Sequence, residues 1–201
     1  RSRVDVAFLD DAGDRLAGLQ VRLFGERFHR VADLLALSLS NLNPPIHLAN
    51  ALCNLTRIER GEAWDNYDGI TPAVARLIVA LDAERVALAR TCGYEVKTVE
   101  EHYVHTFPIL RASLAEMAAE VHRMKQGPRG PTSLSTRYIT EDLPFGIWPI
   151  VALARARGVP VPVHEGGLAV MSAIAGTDFI ARNDLLPEIA ADLADPAALA
   201  V

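Results

Sequence analysis

Arg137, Tyr138, Glu141 and Asp142 fall within one short run, Thr136-Arg137-Tyr138-Ile139-Thr140-Glu141-Asp142-Leu143-Pro144-Phe145-Gly146, directly ahead of the apolar segment Leu143 to Ala156. The run predicts a helix start. Thr140 is the expected cap, Glu141 and Asp142 suit the positive end of the helix dipole, and Pro144 is tolerated in a first turn. Arg137 is then expected in the loop before the helix, free to point a guanidinium at an anion. An arginine and an aspartate flanking a helix start can hold a substrate carboxylate and orient a base. The same arrangement also suits an ordinary surface ion pair.

His47 offers a second chemistry. It falls in the first turn of a helix opened by Asn43-Pro44-Pro45 and otherwise lined by Ile46, Leu48 and Ala49. A helix N-terminus favours the neutral imidazole and a nearby carboxylate favours the charged one, and opposed influences of this kind poise a histidine for acid–base work. A histidine satisfied by backbone, or simply exposed, fits the position equally. Asn43, four residues earlier, also reads as a helix cap.

Other chemistries find less support. A nucleotide cradle needs closely spaced glycines, and the chain has no Gly-x-Gly. Gly13 and Gly18 have the outer spacing of a P-loop, but Leu19-Gln20 follows where Lys-Ser/Thr belongs. His102 and His105, beside Glu101, lack a third metal ligand at known spacing and read as solvated helix histidines, so no metal is expected. Ser133 and Ser135 lie near Asp142, but neither sits in a Gly-x-Ser-x-Gly elbow.

Positioning these residues falls to a mainly helical chain. Half of its 201 residues are apolar, with aromatics at 6%, a mixture that suits helices and suffices for one good core. A net charge of −5 argues against a nucleic-acid surface. No apolar stretch is long enough to span a bilayer and no signal peptide opens the sequence, so a cytoplasmic location is expected. Cys53 and Cys92 read as small core residues in a reducing compartment.

Residues 1–28 read as a β fragment. Val4, Val6 and Phe8 alternate with polar or small residues, Asp10 to Asp14 is turn chemistry, and Leu19, Val21 and Leu23 alternate again. Residues 29–201 read as one helical domain. Val31 to Leu42 is ambiguous between helix and extended chain, and a helix is expected from the prolines to about Arg60, with Ile46, Ala49, Leu52 or Cys53, and Leu55 or Thr56 buried. Thr71-Pro72 opens a long helix that Gly93 closes. Thr98 to Glu101 and Ser113 to Glu116 have the form of capping boxes. Pro149 should kink the helix of Leu143 to Arg157. Val163 to Ala175 ends at Gly176, and Thr177 is expected to cap a short last helix before an Ala-rich tail from Ala190.

Several of these pieces recur together: Asn43-Pro44-Pro45-Ile46-His47 with Asn54 and Arg57-Ile58-Glu59, then Leu81-Asp82-Ala83-Glu84-Arg85, the Arg137 to Gly146 run, and Gly158-Val159-Pro160-Val161-Pro162. In this order they resemble the opine dehydrogenases, the octopine/nopaline family, over roughly residues 30 to 180. The resemblance implies the family's C-terminal helical substrate domain, a bundle of the 6-phosphogluconate-dehydrogenase-like type. In the complete enzyme, an N-terminal Rossmann domain would hold NAD(P)H and the helical domain would close over an α-keto acid and an amine, usually an amino acid. The resemblance also implies His47 as the acid–base group paired with Asp142, Arg137 as the binder of a substrate carboxylate, and Asn43 as a residue that hydrogen-bonds substrate or holds the nicotinamide-proximal geometry. Residues 1–28 then become the tail of the nucleotide domain, the rest of which lies in cis or on a separate chain. No dinucleotide binding or turnover is expected of this chain alone, and a homodimer stays open. Where relatives carry Gly-Arg-Thr, this chain has Ala181-Arg182-Asn183-Asp184. A non-catalytic interaction module that keeps the helical fold is the alternative reading.

Overall fold

Proline and glycine set most of the helix limits. A computed structural model describes residues 4–8 and 13–189. The element order is β1 (Val4–Val6), α1 (Gly13–Phe24), β2 (Phe28–Arg30), α2 (Leu34–Leu39), α3 (Asn43–Cys53), α4 (Leu55–Glu59), α5 (Pro72–Thr91), α6 (Val99–Thr106), α7 (Leu114–Arg123), α8 (Arg137–Thr140), a π turn (Leu143–Ile147), α9 (Trp148–Ala156), α10 (Pro162–Ala175) and a 3-10 turn (Leu186–Ile189). Prolines open α3, α5 and α10, where a missing N–H costs nothing because no helical carbonyl awaits it. Gly176 ends α10 in the left-handed region, φ 57°. Both capping boxes form: Thr98 with Glu101 opens α6, and Ser113 with Glu116 opens α7. The architecture is mainly helical with a short β fragment in front, as composition and patterning predict.

The β fragment differs from its expected form. β1 and β2 pair in parallel, Val4 opposite Phe28 and Val6 opposite Arg30, and the stretch expected as a second strand, Leu19 to Leu23, lies within α1. A parallel pair needs a crossover, which α1 supplies. The alternation of Leu19, Val21 and Leu23 was part of a helical row, Leu16, Leu19 and Leu23 with Gln20 and Phe24 beside it. Of the predicted turn, residues 10–12 lie outside the described residues, as does the tail from Ala190.

α3 is the organising helix. It packs against α5, α8, α10 and the π turn, and Leu48, Ala49 and Ala51 are wholly buried. Burial of a side chain such as Leu48 stabilises the fold by about 1.5–3 kcal/mol. Contact on several sides buries Pro44, Pro45 and Asn50 as well, leaves Ile46 and Leu52 half-buried, and leaves Cys53 exposed rather than in the core. The helix also stops earlier than expected. Asn54 leaves helical geometry at φ −110°, ψ 18°, and its side chain donates to the Asn50 carbonyl and to the Gly69 carbonyl across a loop. α4 then resumes the helix. A second apolar cluster joins Leu39 of α2 to Leu88 and Ala89 of α5 and to Val151, Leu153 and Ala154 of α9.

A buried charge ties these layers together. Arg85 is wholly buried and pairs with Asp82 while donating to the Leu39 and Lys97 carbonyls. Asp82 also accepts the Val99 N–H at 2.8 Å. The segment Leu81 to Arg85 therefore joins the end of α2 to the start of α6. Within the ambiguous stretch of residues 31–42, Leu34–Leu39 forms helix, because Asp33 caps α2 through the Ala36 N–H.

The stretch around Arg137 folds differently from the expected single helix. Thr136, not Thr140, is the cap, and Arg137 is the first residue of α8 rather than a loop residue. Pro149 has no N–H to complete an ordinary turn, and the chain widens ahead of it instead of simply kinking. The Trp148 N–H reaches the Leu143 carbonyl five residues back, which makes Leu143–Ile147 a π turn. No helix begins at Thr177. Asp178 instead accepts the Ile180 and Ala181 N–H groups in a local turn. Among the described residues no helix is long and apolar enough to cross a membrane.

Candidate functional site

His47 and Asp142 meet at the junction of α3 and the π turn. His47 lies one turn into α3, where the two preceding prolines fix the backbone and Leu48 and Ala49 anchor the next positions in the core. Asp142 immediately precedes the π turn. Its Oδ2 stands 2.6 Å from His47 Nδ1, and the two side chains are 17% and 20% exposed. An ionised carboxylate only accepts, so Nδ1 carries the proton. This contact leaves Nε2 without a hydrogen bond among the described residues, as the ring atom able to take or give a proton.

Close packing sets that distance. Gly146, within the π turn, lies against Pro44. A Cβ built on Gly146 would sit 2.5 Å from Pro44 Cγ and 2.8 Å from Pro44 Cβ, so only glycine lets the turn approach α3 this closely. From the other side, Asn183 donates to the Pro144 carbonyl at 2.6 Å while its Oδ1 accepts the Leu185 and Leu186 N–H groups. The segment Ala181 to Asp184, singled out only for departing from a family pattern, therefore braces the turn that carries Asp142.

Tyr138 completes the local constellation. Its ring stacks on the His47 imidazole with centroids 3.6 Å apart and planes 7° from parallel. Burial, then the Tyr67 phenol and the Asp142 carboxylate, push its hydroxyl up to about 12. It is a neutral phenol at any working pH. The sequence held one clue to it: Tyr138 and Asp142 are four apart, the spacing of neighbours on one helical face.

The other two candidates lie in the open. Arg137 has 83% of its side chain exposed and donates from Nε to Glu141 at 2.8 Å, one turn on in the chain. Arg137 and Asp142 thus do not pair with each other. Arg137 takes Glu141, and Asp142 takes His47. The Glu141 carboxylate raises the proton affinity of a guanidinium that is already always charged. Asn43 is exposed at the first position of α3, one turn before His47. It is not the cap, which is Leu42, and its N–H donates to Asn41 Oδ1.

The remaining motifs stay apart from this site. His102 Nε2 contacts the Thr106 hydroxyl on the exposed side of α6, and Ser133 and Ser135 are exposed. Among the described residues no three His, Cys, Asp or Glu side chains converge as a metal site would require. A second histidine–carboxylate pair, His164 with Glu84 at 2.7 Å, is buried at the start of α10. There the Glu84 carboxylate also accepts the Val163 and His164 N–H groups. It closes a helix end, with the His164 side chain wholly buried.

Gly13 opens α1, but Gly18 lies in the helix interior, so the two cannot bracket one phosphate-binding turn.

Residues 30–175 match the family model for the NAD/NADP octopine/nopaline dehydrogenase alpha-helical domain. An opine dehydrogenase from Arthrobacter sp. (strain 1C) is 33% identical over 180 residues, which cover 89% of this chain and 50% of that protein. The chain therefore spans about half the length of this curated relative. A structure of octopine dehydrogenase with NADH and L-arginine superposes with a TM-score of 0.73 at 19% identity, covering 99% of this chain and 56% of that one. Octopine dehydrogenase with NADH and agmatine gives 0.68 at 19%, over 92% and 51%, and octopine dehydrogenase with NADH and pyruvate gives 0.65 at 19%, over 92% and 50%. At this identity the structural likeness establishes the fold.

Proposed function

Because the chain belongs to the octopine/nopaline dehydrogenase family, within its alpha-helical domain, we propose that it is the substrate-binding and acid–base part of an opine dehydrogenase. The reaction is the reductive condensation of an α-keto acid with an amine or amino acid. The observation that carries the reading is the 2.6 Å contact between His47 and Asp142, formed in a domain of this family.

In this proposal the amine attacks the keto carbon to give a carbinolamine. That intermediate must lose its hydroxyl as water before an imine can form. His47, protonated at Nε2, donates to the departing hydroxyl, which would otherwise leave as hydroxide. Asp142 holds the imidazole by Nδ1 and stabilises its charged form. Arg137 keeps both Nη groups without a partner among the described residues, and two parallel N–H donors match a carboxylate. Asn43, one turn before His47, hydrogen-bonds the bound substrate. The reductant, NAD(P)H, is held outside the described residues by a Rossmann domain, in cis or as a separate chain, to which the β1–α1–β2 unit contributes.

The test is product analysis. The chain, joined to or mixed with the nucleotide domain, is incubated with NAD(P)H and pairs of α-keto acid and amino acid. The expected product has the mass of the secondary amine. Cofactor oxidation that yields only a hydroxy acid, or none with any pair, would overturn the reading.

A further inference from the structure

We propose that Tyr138 is a positioning residue for His47, acting as a stacking plate that fixes the plane of the imidazole. The inference rests on the acid–base reading of His47 and adds to it a residue to which the family comparison assigns no role.

A single carboxylate oxygen at Nδ1 fixes one atom of the ring. The imidazole can still pivot about that hydrogen bond, and any pivot swings Nε2 away from a substrate hydroxyl. The parallel Tyr138 ring, 3.6 Å away, blocks the pivot on one face. Tyr138 is itself well supported. Ile139, its neighbour in α8, is almost wholly buried, and Thr136 accepts the Tyr138 N–H in capping the helix. The carboxylate and the plate come from one segment: α8 carries Tyr138, and Asp142 follows four residues later. Any shift of that segment moves both restraints on His47 together.

Two measurements test this. Proton NMR of this chain should show a cross-relaxation peak between the His47 and Tyr138 rings and upfield shielding of the His47 ring protons. Absence of both in the wild-type chain overturns the proposal whether or not any variant folds. In the enzyme assembled with its nucleotide domain, Tyr138→Leu should lower kcat by about tenfold or more, the scale expected when a reacting group loses alignment, with a much smaller change in keto-acid KM. Tyr138→Phe should restore most of that loss. A Tyr138→Leu enzyme with wild-type kcat, or a Tyr138→Phe enzyme as impaired as Tyr138→Leu, contradicts a stacking role. A His47→Ala control separates the two claims. If it loses turnover while Tyr138→Leu does not, only the stacking proposal fails. If it keeps turnover, the acid–base reading fails.

Discussion

His47 and Asp142 stand 95 positions apart in the chain and meet at 2.6 Å between Nδ1 and Oδ2. The pair forms because the first turn of α3 and the π turn after α8 pack directly on each other. If the carboxylate holds the proton on Nδ1, then Asp142→Asn, which offers a neutral amide, weakens the hold and no longer stabilises the charged ring. We expect kcat of the assembled enzyme to fall by about 10²–10⁴-fold, the range of acid–base contributions, with little change in keto-acid KM. Steady-state kinetics measures both.

Gly146 should be intolerant of a side chain. Its missing Cβ is what lets the π turn lie against Pro44, and a proline ring cannot rotate aside. Gly146→Ala is expected to destabilise the chain by about 1–3 kcal/mol, as overpacking does, and to separate Asp142 from His47. Urea unfolding reads the first effect. The second appears as a loss of kcat in whatever fraction remains folded.

Arg137 is expected to matter to substrate and not to stability. Its pair with Glu141 is solvent-exposed, and exposed pairs contribute little to folding. Arg137→Lys should leave the melting temperature essentially unchanged. Lysine cannot offer two parallel donors, so keto-acid KM should rise by about tenfold or more. An unchanged KM would remove Arg137 from the site.

Glu84 gives a pH-dependent prediction that is independent of catalysis. Burial alone would raise its carboxyl, but the His164 side-chain hydrogen bond and the Val163 and His164 N–H groups outweigh burial and hold it below the usual carboxylate range. A group lowered in the folded state stabilises the fold above its unfolded value and loses that contribution as pH falls through the folded one. The stability gap between wild type and Glu84→Gln should therefore be full at neutral pH and shrink below about pH 4. Chemical denaturation across that range would show it, and a gap that stays constant would contradict the assignment.

Legibility varied with the range of the interaction that decides each feature. Helix limits written in local chemistry, such as Thr98 with Glu101 and Ser113 with Glu116, follow directly from the chain. α1 did not, because an alternating set, Leu19, Val21 and Leu23, sits inside a helical row and only the parallel pairing of β1 and β2 discriminates. The break at Asn54 depends on the Gly69 carbonyl, a partner in a distant loop. At the site, Asp142 as the partner of His47 entered through family resemblance. No spacing rule links positions in different helices. The tie from Arg137 to Glu141 is an ordinary one-turn spacing and could have been read locally. Tyr138 was visible as part of a motif, yet its role depends on where α8 lands against α3. The brace from Asn183 to Pro144 is equally tertiary.

The central claim is that His47 performs the acid–base step, and His47→Ala tests it most directly. The variant should be assayed with its nucleotide domain present, with NAD(P)H binding and circular dichroism measured alongside. Turnover should be abolished while cofactor binding and the helical signal persist. Near-normal turnover in that variant would contradict the account.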